Sequence, residues 1–363
     1  MPASASTDVR PPPLRSELSV NDLAAVGDDL FAVGMKGAPA PARVAHTKGG
    51  TPWLVVAYSS SDGAVHTQLA GVHAIAGDDV WAVGWRGLFQ SHTEHTHITH
   101  GDGASWHPVE SPDFGDGSHL SGVAAWGPDD ALAVGARSSH SLPAGGPVGL
   151  SPVALWEALG VLWDGARWSA VPGPGRGTLH DVCAVGPGSY WAVGSRVHPE
   201  RAGNVPLVAL YTGGAWQQVG AAGVGPLFDV AATGPDDVWA VGQDQDPGHA
   251  GGALVLHHDG RDWEQVETGV TGQAWLSGVA CARRDDVWAV GTRQREDGAF
   301  GPLILHFDGT AWAAVEPPAT AAPQGLSAVA ALPGGGAWAA GGFSATGETG
   351  FTILPAATTP GGP

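Results

Sequence analysis

Short apolar runs alternate with turn residues along the chain, and one such run recurs. It reads DDLFAVG (28–34), DDVWAVG (78–84), DDALAVG (129–135), GSYWAVG (188–194), DDVWAVG (236–242), DDVWAVG (285–291) and GGAWAAG (335–341). The closing glycines, Gly34, Gly84, Gly135, Gly194, Gly242, Gly291 and Gly341, are spaced by 50, 51, 59, 48, 49 and 50 residues. A period near 50 with strand-like content predicts one sheet per repeat. It overrides the two or three domains that 363 residues would otherwise suggest.

Within each repeat the pattern predicts four strands. Strand A carries Leu-x-x-Val, as in Leu120 to Val123, Leu179 to Val182, Leu227 to Val230, Leu276 to Val279 and Leu326 to Val329. A tight turn rich in Gly, Pro and Asp leads into strand B, the recurring phrase itself. Strand C is an apolar run such as LVLHH (254–258) or LILHF (303–307). Asp-Gly follows at 102–103, 164–165, 259–260 and 308–309, which predicts a two-residue hairpin turn. Strand D then places a tryptophan three residues beyond the glycine: Trp106, Trp168, Trp216, Trp263 and Trp312, with Trp53 in the same frame.

The last repeat has no such tryptophan strand. At the other end of the chain, DVRPPP (8–13) resembles the strand-D endings VESP (109–112) and VEPP (315–318). Residues 1–13 are therefore expected to supply the outer strand of the last blade and remove its open edge. The expected fold is all-β: one seven-bladed β-propeller domain over 1–363, with four antiparallel strands per blade. Blades are expected to begin near 18, 69, 120, 179, 227, 276 and 326. The arrangement resembles bacterial propellers built from D-D-x-W-A-V-G and L-H-x-D-G-x-x-W repeats, akin to kelch-like and sialidase-like propellers. That resemblance implies a fold and carries over no catalytic residue, because propellers serve as binding modules, scaffolds and enzymes.

Composition narrows the partners. With 43% hydrophobic residues and 16 Trp, the 57 Gly and 29 Pro belong to turns rather than to a disordered chain. A formal net charge of -19 with no basic cluster argues against nucleic acid and against an anionic membrane surface, and favours cationic or metal-bound ligands. Cys183 and Cys281 give no disulfide framework and read as two small buried thiols. The N-terminal MPASASTDVRPPPLR lacks the charged and apolar regions of a signal peptide, and no run is long enough to span a bilayer. A cytoplasmic monomer is the expectation.

Residues that recur are expected to be structural. Trp81, Trp191, Trp239, Trp288 and Trp338 read as inter-blade packing, and His100, His257 and His306 as hydrogen-bonding groups of strand C. Function is expected where repeats differ, on the face carrying the B–C and D–A connections. The longest of these, Ala136 to Leu159, accounts for the 59-residue spacing. Histidines gather near it. His92, His95 and His97 lie in WRGLFQSHTEHTHITH, with His95 and His97 on one side of a strand. With His119 or His180, and Glu94, they could hold a divalent metal such as Zn, Cu, Fe or Mn, although a polar, partly exposed strand and loop is the simpler explanation. Without metal, His180, Asp181 and His119 are candidate catalytic acid/base groups. Trp85, Phe89, Trp156, Phe228, Asp229 and Trp275, with Phe300 nearby, are candidates for a ligand pocket, or for loop packing. Three functions follow: a propeller binding a small molecule or partner peptide over the channel, which leads; a lyase, hydrolase or oxidative enzyme using histidines of blades two to four; and a structural scaffold.

Overall fold

The structure is a computed structural model that describes residues 19–35, 42–49, 51–58, 66–87, 93–138, 156–198, 203–246, 251–317, 324–345 and 348–356. It is a β-propeller. Six sheets have four antiparallel strands in simple meander order, and one has three. The expectation of seven four-stranded blades is corrected: the four-stranded blade occurs six times among the described residues. The three-stranded sheet begins with Gly325–Ala331, and residues 1–13, expected to complete it, lie outside the described residues. The inner strands are Ser19–Val26, His66–Ala76, Ser118–Gly127, Thr178–Gly186, Leu227–Gly234, Ala274–Arg283 and Gly325–Ala331. Each lies beside the next around a ring, and the last returns to the first.

Turn chemistry sets the repeat. In the six four-stranded blades the A–B connections are two-residue hairpins, for example Gly27–Asp28 between the paired Val26 and Asp29, whereas in the three-stranded sheet five residues separate the paired Ala331 and Ala337. The C–D connections are a correction. Gly101 pairs Trp106, Trp163 pairs Trp168, His258 pairs Trp263 and Phe307 pairs Trp312, so each loop spans four residues rather than two. The Asp caps the loop from within: Asp102 Oδ1 accepts the N–H groups of Ala104 and Ser105 at 2.9 and 2.7 Å. Blade four uses the two-residue form, on Gly213 and Gly214 at φ 59° and 81°.

The glycine that closes strand B has a steric cause. Every inner strand bulges at the second residue of Leu-x-x-Val, skipping Asn21, Ala70, Ser121, His180, Phe228, Ser277 or Ser327 in the register. The bulge pushes a backbone carbonyl against strand B. A Cβ on Gly242 would stand 2.0 Å from the Pro226 carbonyl oxygen, and one on Gly291 2.0 Å from that of Trp275. No side chain fits there.

The core lies between blades. The strand-B tryptophan of one blade meets the strand-D tryptophan of the next edge to face: Trp81–Trp168 at 5.1 Å, Trp191–Trp263 at 5.3 Å and Trp239–Trp312 at 5.3 Å. The strand-C histidines are structural. His100, His257 and His306 bond through Nε2 to Asp79, Asp237 and Asp286 at 2.8, 2.8 and 2.9 Å, each with its ring against the strand-B indole.

Candidate functional site

Four of the candidate residues come together. His119 is the second residue of the inner strand Ser118–Gly127 of blade three, and Trp156 opens the third strand of the same blade, Trp156–Trp163. Their rings meet at 5.2 Å. His180 stands at the start of the next inner strand, close enough for its charge to oppose that of His119. Phe228, one blade further, stacks on His180 at 5.9 Å. Trp156, His119, His180 and Phe228 thus form an arc across blades three to five, at the end of the ring where the D–A connections enter.

The arc is electrically neutral. Burial holds the His119 imidazole down to about 4, assisted by His180, and burial lowers His180 as well. His180 Nδ1 lies 2.6 Å from the Leu227 carbonyl, which can only accept, so Nδ1 carries the proton. Nε2 of the neutral ring is left with its lone pair.

Below the arc a cavity of about 400 Å³ runs along the second halves of the inner strands, toward the A–B turns. Three carboxylates line it, Asp22, Asp181 and Asp229, all at the third position of the inner-strand motif. The equivalent residues are Gly71, Gly122, Gly278 and Ala328. Each aspartate latches the next blade: Asp22 accepts from Val72 N–H at 2.8 Å, Asp181 from Val230 N–H at 3.1 Å and Asp229 from Val279 N–H at 2.7 Å. Neighbouring second-position groups make a parallel set of bonds, Asn21 to the Leu69 carbonyl at 2.6 Å and Ser327 to that of Val20 at 2.9 Å. Burial pushes Asp22 up to about 8, with the Asp229 charge adding to it. Burial, with the Asp229 charge next, pushes Asp181 well above the usual carboxylate range. Cys183 and Cys281 line the same cavity as free, partly buried thiols, and burial raises both. Asp22 went unnoticed in the sequence; its signal was the alternation of Asp with Gly at one position of the repeat.

The remaining candidates are not gathered. His95 faces Asp116 and Asp113 at 3.2 and 3.6 Å, while His97 is buried and held down to about 4 by desolvation, with the Arg86 charge in support. His92 and Phe89 lie outside the described residues. Among the described residues no three His, Cys, Asp or Glu side chains converge as metal ligands. Trp85 sits part-buried in strand B of blade two. Trp275 packs on Phe300 of its own blade at 5.5 Å. The loop placed at Ala136 to Leu159 is shorter than expected, since Ala136 and Leu159 are already in the ladder; residues 139–155 lie outside the described residues. His119 belongs to the inner strand Ser118–Gly127.

Neither a family model nor a curated protein sequence matches the chain. Solved structures do. YCF48 bound to D1 peptide matches with a TM-score of 0.57 and 12% identity over 97% of both chains. The β-propeller domain of the Trilobed protease from Pyrococcus furiosus, described as having an open velcro topology, matches with a TM-score of 0.54 and 10% identity over 94% of both. A prolyl endopeptidase matches with a TM-score of 0.57 and 16% identity; this chain is covered over 92% and spans 46% of that one. These likenesses establish the β-propeller fold. No helix of the described residues is long and apolar enough to cross a membrane.

Proposed function

We propose that this β-propeller binds a small molecule or a partner peptide at the D–A and B–C mouth of its ring, on the arc Trp156–His119–His180–Phe228. The observation that carries the reading is the convergence of these four non-repeat side chains from three blades. Two neutral imidazoles between aromatic rings suit an uncharged polar or aromatic group, such as a peptide amide with an aromatic side chain. His180 Nε2 is the acceptor that fixes its orientation. A propeller of similar shape holding a peptide is consistent with this class of ligand.

The test is a screen of aromatic fragments and short peptides by saturation-transfer NMR. Hits should be lost in His180→Ala and Trp156→Leu and kept in Trp126→Ala, whose exposed indole lies by the opposite mouth. Hits that survive both arc variants would overturn the proposal.

A second reading rests on the Asp181–Asp229 pair. A carboxyl that keeps its proton beside another carboxyl, in a cavity, is the arrangement of a general acid and base. In that reading the protein is an enzyme, with Asp181 as acid and the Asp229 carboxylate as base, and with His180 and His119 at the cavity's mouth. Loss of turnover in Asp181→Asn with the ring intact would favour it.

A further inference from the structure

A second cleft lies between blades two and three on the face of the A–B turns, the end of the ring opposite the arc. It measures about 520 Å³ and is lined by Asp78, Asp79, Trp81, His100, Val109, Pro128 and Trp163. The repeat supplies its own control. In blades five and six the strand-B indole donates to the turn aspartate: Trp239 Nε1 to Asp237 at 3.2 Å and Trp288 Nε1 to Asp286 at 2.7 Å. In blade two Asp79 takes His100 as its counterparts take their histidines, yet the Trp81 indole N–H has no acceptor among the described residues. Trp81 is only 3% exposed. A buried donor without a partner is costly in a folded protein. The Asp79 side chain is also opened, 24% exposed against 5% for Asp237 and 6% for Asp286.

Blade three provides the facing wall. Trp163 donates its indole N–H to the Pro128 carbonyl at 2.9 Å, which pins the ring, 4.9 Å from that of Trp81. The cleft is therefore walled by the indole whose buried N–H is unused, and it offers a carboxylate, a second exposed carboxylate at Asp78, and a flat aromatic surface. We propose that this cleft is a ligand site for a small cation that also carries a hydrogen-bond acceptor, an amide-bearing guanidinium or ammonium compound. The acceptor takes the Trp81 N–H, the cation sits against Asp79, and Trp163 stacks on it.

L-argininamide is the probe, titrated into the intact protein and followed by indole ¹⁵N–¹H NMR. We expect saturable binding that shifts the Trp81 indole resonance. Asp79→Asn should weaken it about tenfold, as expected for a charge-assisted hydrogen bond, and Trp81→Phe about fivefold. Asp286→Asn, at the equivalent position of blade six, controls for structural effects and should leave binding unchanged. The proposal falls if intact protein shows no saturable binding, if neither cleft variant weakens it, or if Asp286→Asn weakens it as much as Asp79→Asn. The arc lies at the other mouth, so His180→Ala should leave argininamide binding intact whatever becomes of the first proposal.

Discussion

Replacing Asp22 by asparagine should change how the ring's stability depends on pH. The Asp22 carboxyl accepts the Leu23 and Val72 N–H groups at 2.7 and 2.8 Å, and burial raises it to about 8 in the folded chain from 3.8. A raised carboxyl binds a proton more tightly in the folded state than in the unfolded one. Its contribution is therefore complete below the unfolded value and is lost as pH climbs toward 8. Each pH unit inside that window is worth about 1.4 kcal/mol, so the change from pH 5 to pH 8 has a ceiling of about 4 kcal/mol. His73, His97 and His119, each held down to about 4, act in the opposite direction, losing stability as pH falls below 6.5. Their effect cancels when wild type and variant are compared at the same pH. The amide introduced by Asp22→Asn keeps an acceptor but cannot ionise. The variant should therefore lose a hydrogen bond at low pH and gain on the wild type as pH rises. Urea unfolding at pH 5, 6, 7 and 8 reads the difference. Parallel curves for the two proteins would refute the placement of a buried, proton-holding carboxyl at this latch.

Three further outcomes follow from the packing. Gly242→Ala places a Cβ 2.0 Å from the Pro226 carbonyl oxygen and 2.9 Å from the Leu227 Cα, both backbone atoms, and should cost about 2–3 kcal/mol in urea unfolding; an unchanged midpoint would contradict the steric account of the repeat glycine. His306→Ala removes the bond to Asp286 and the stacking on Trp288, and should destabilise by about 2 kcal/mol while leaving ligand binding alone; a loss of binding without loss of stability would make the strand-C histidines functional. Deleting residues 1–13 should lower the melting temperature and promote aggregation, if that segment completes the three-stranded sheet; a truncated protein that stays monodisperse with the same melting curve would rule this out.

The repeating part of the fold was legible because one phrase carries several physical requirements at once. The glycine marks the carbonyl pushed in by the bulge, the acidic pair marks the hairpin, and the indole marks the seam between blades. The C–D turn was misread, although the spacing held the answer. In D-G-x-x-W the tryptophan is the first paired residue, so four residues must form the loop. The inner latch was harder to see. Asp22, Asp181 and Asp229 bond backbone groups about 50 residues away, as from Asp229 to Val279, and no local pattern marks such a partner. The arc was legible as a list of non-repeat residues, but not as a cluster. His119, His180 and Phe228 share one end of the ring only because each opens, or lies just inside, the inner strand of its own blade. His95 shows the converse, a histidine in a suggestive run that turns out to face two surface aspartates.

The most direct test of the binding proposal follows the side-chain resonances of His119, His180 and the Trp156 indole while a screened peptide or aromatic ligand is titrated. Shifts confined to these groups, with His180 Nε2 moving as it gains a hydrogen bond, are the predicted result. Shifts confined to Trp126 and the opposite mouth, with the arc unmoved, would contradict it.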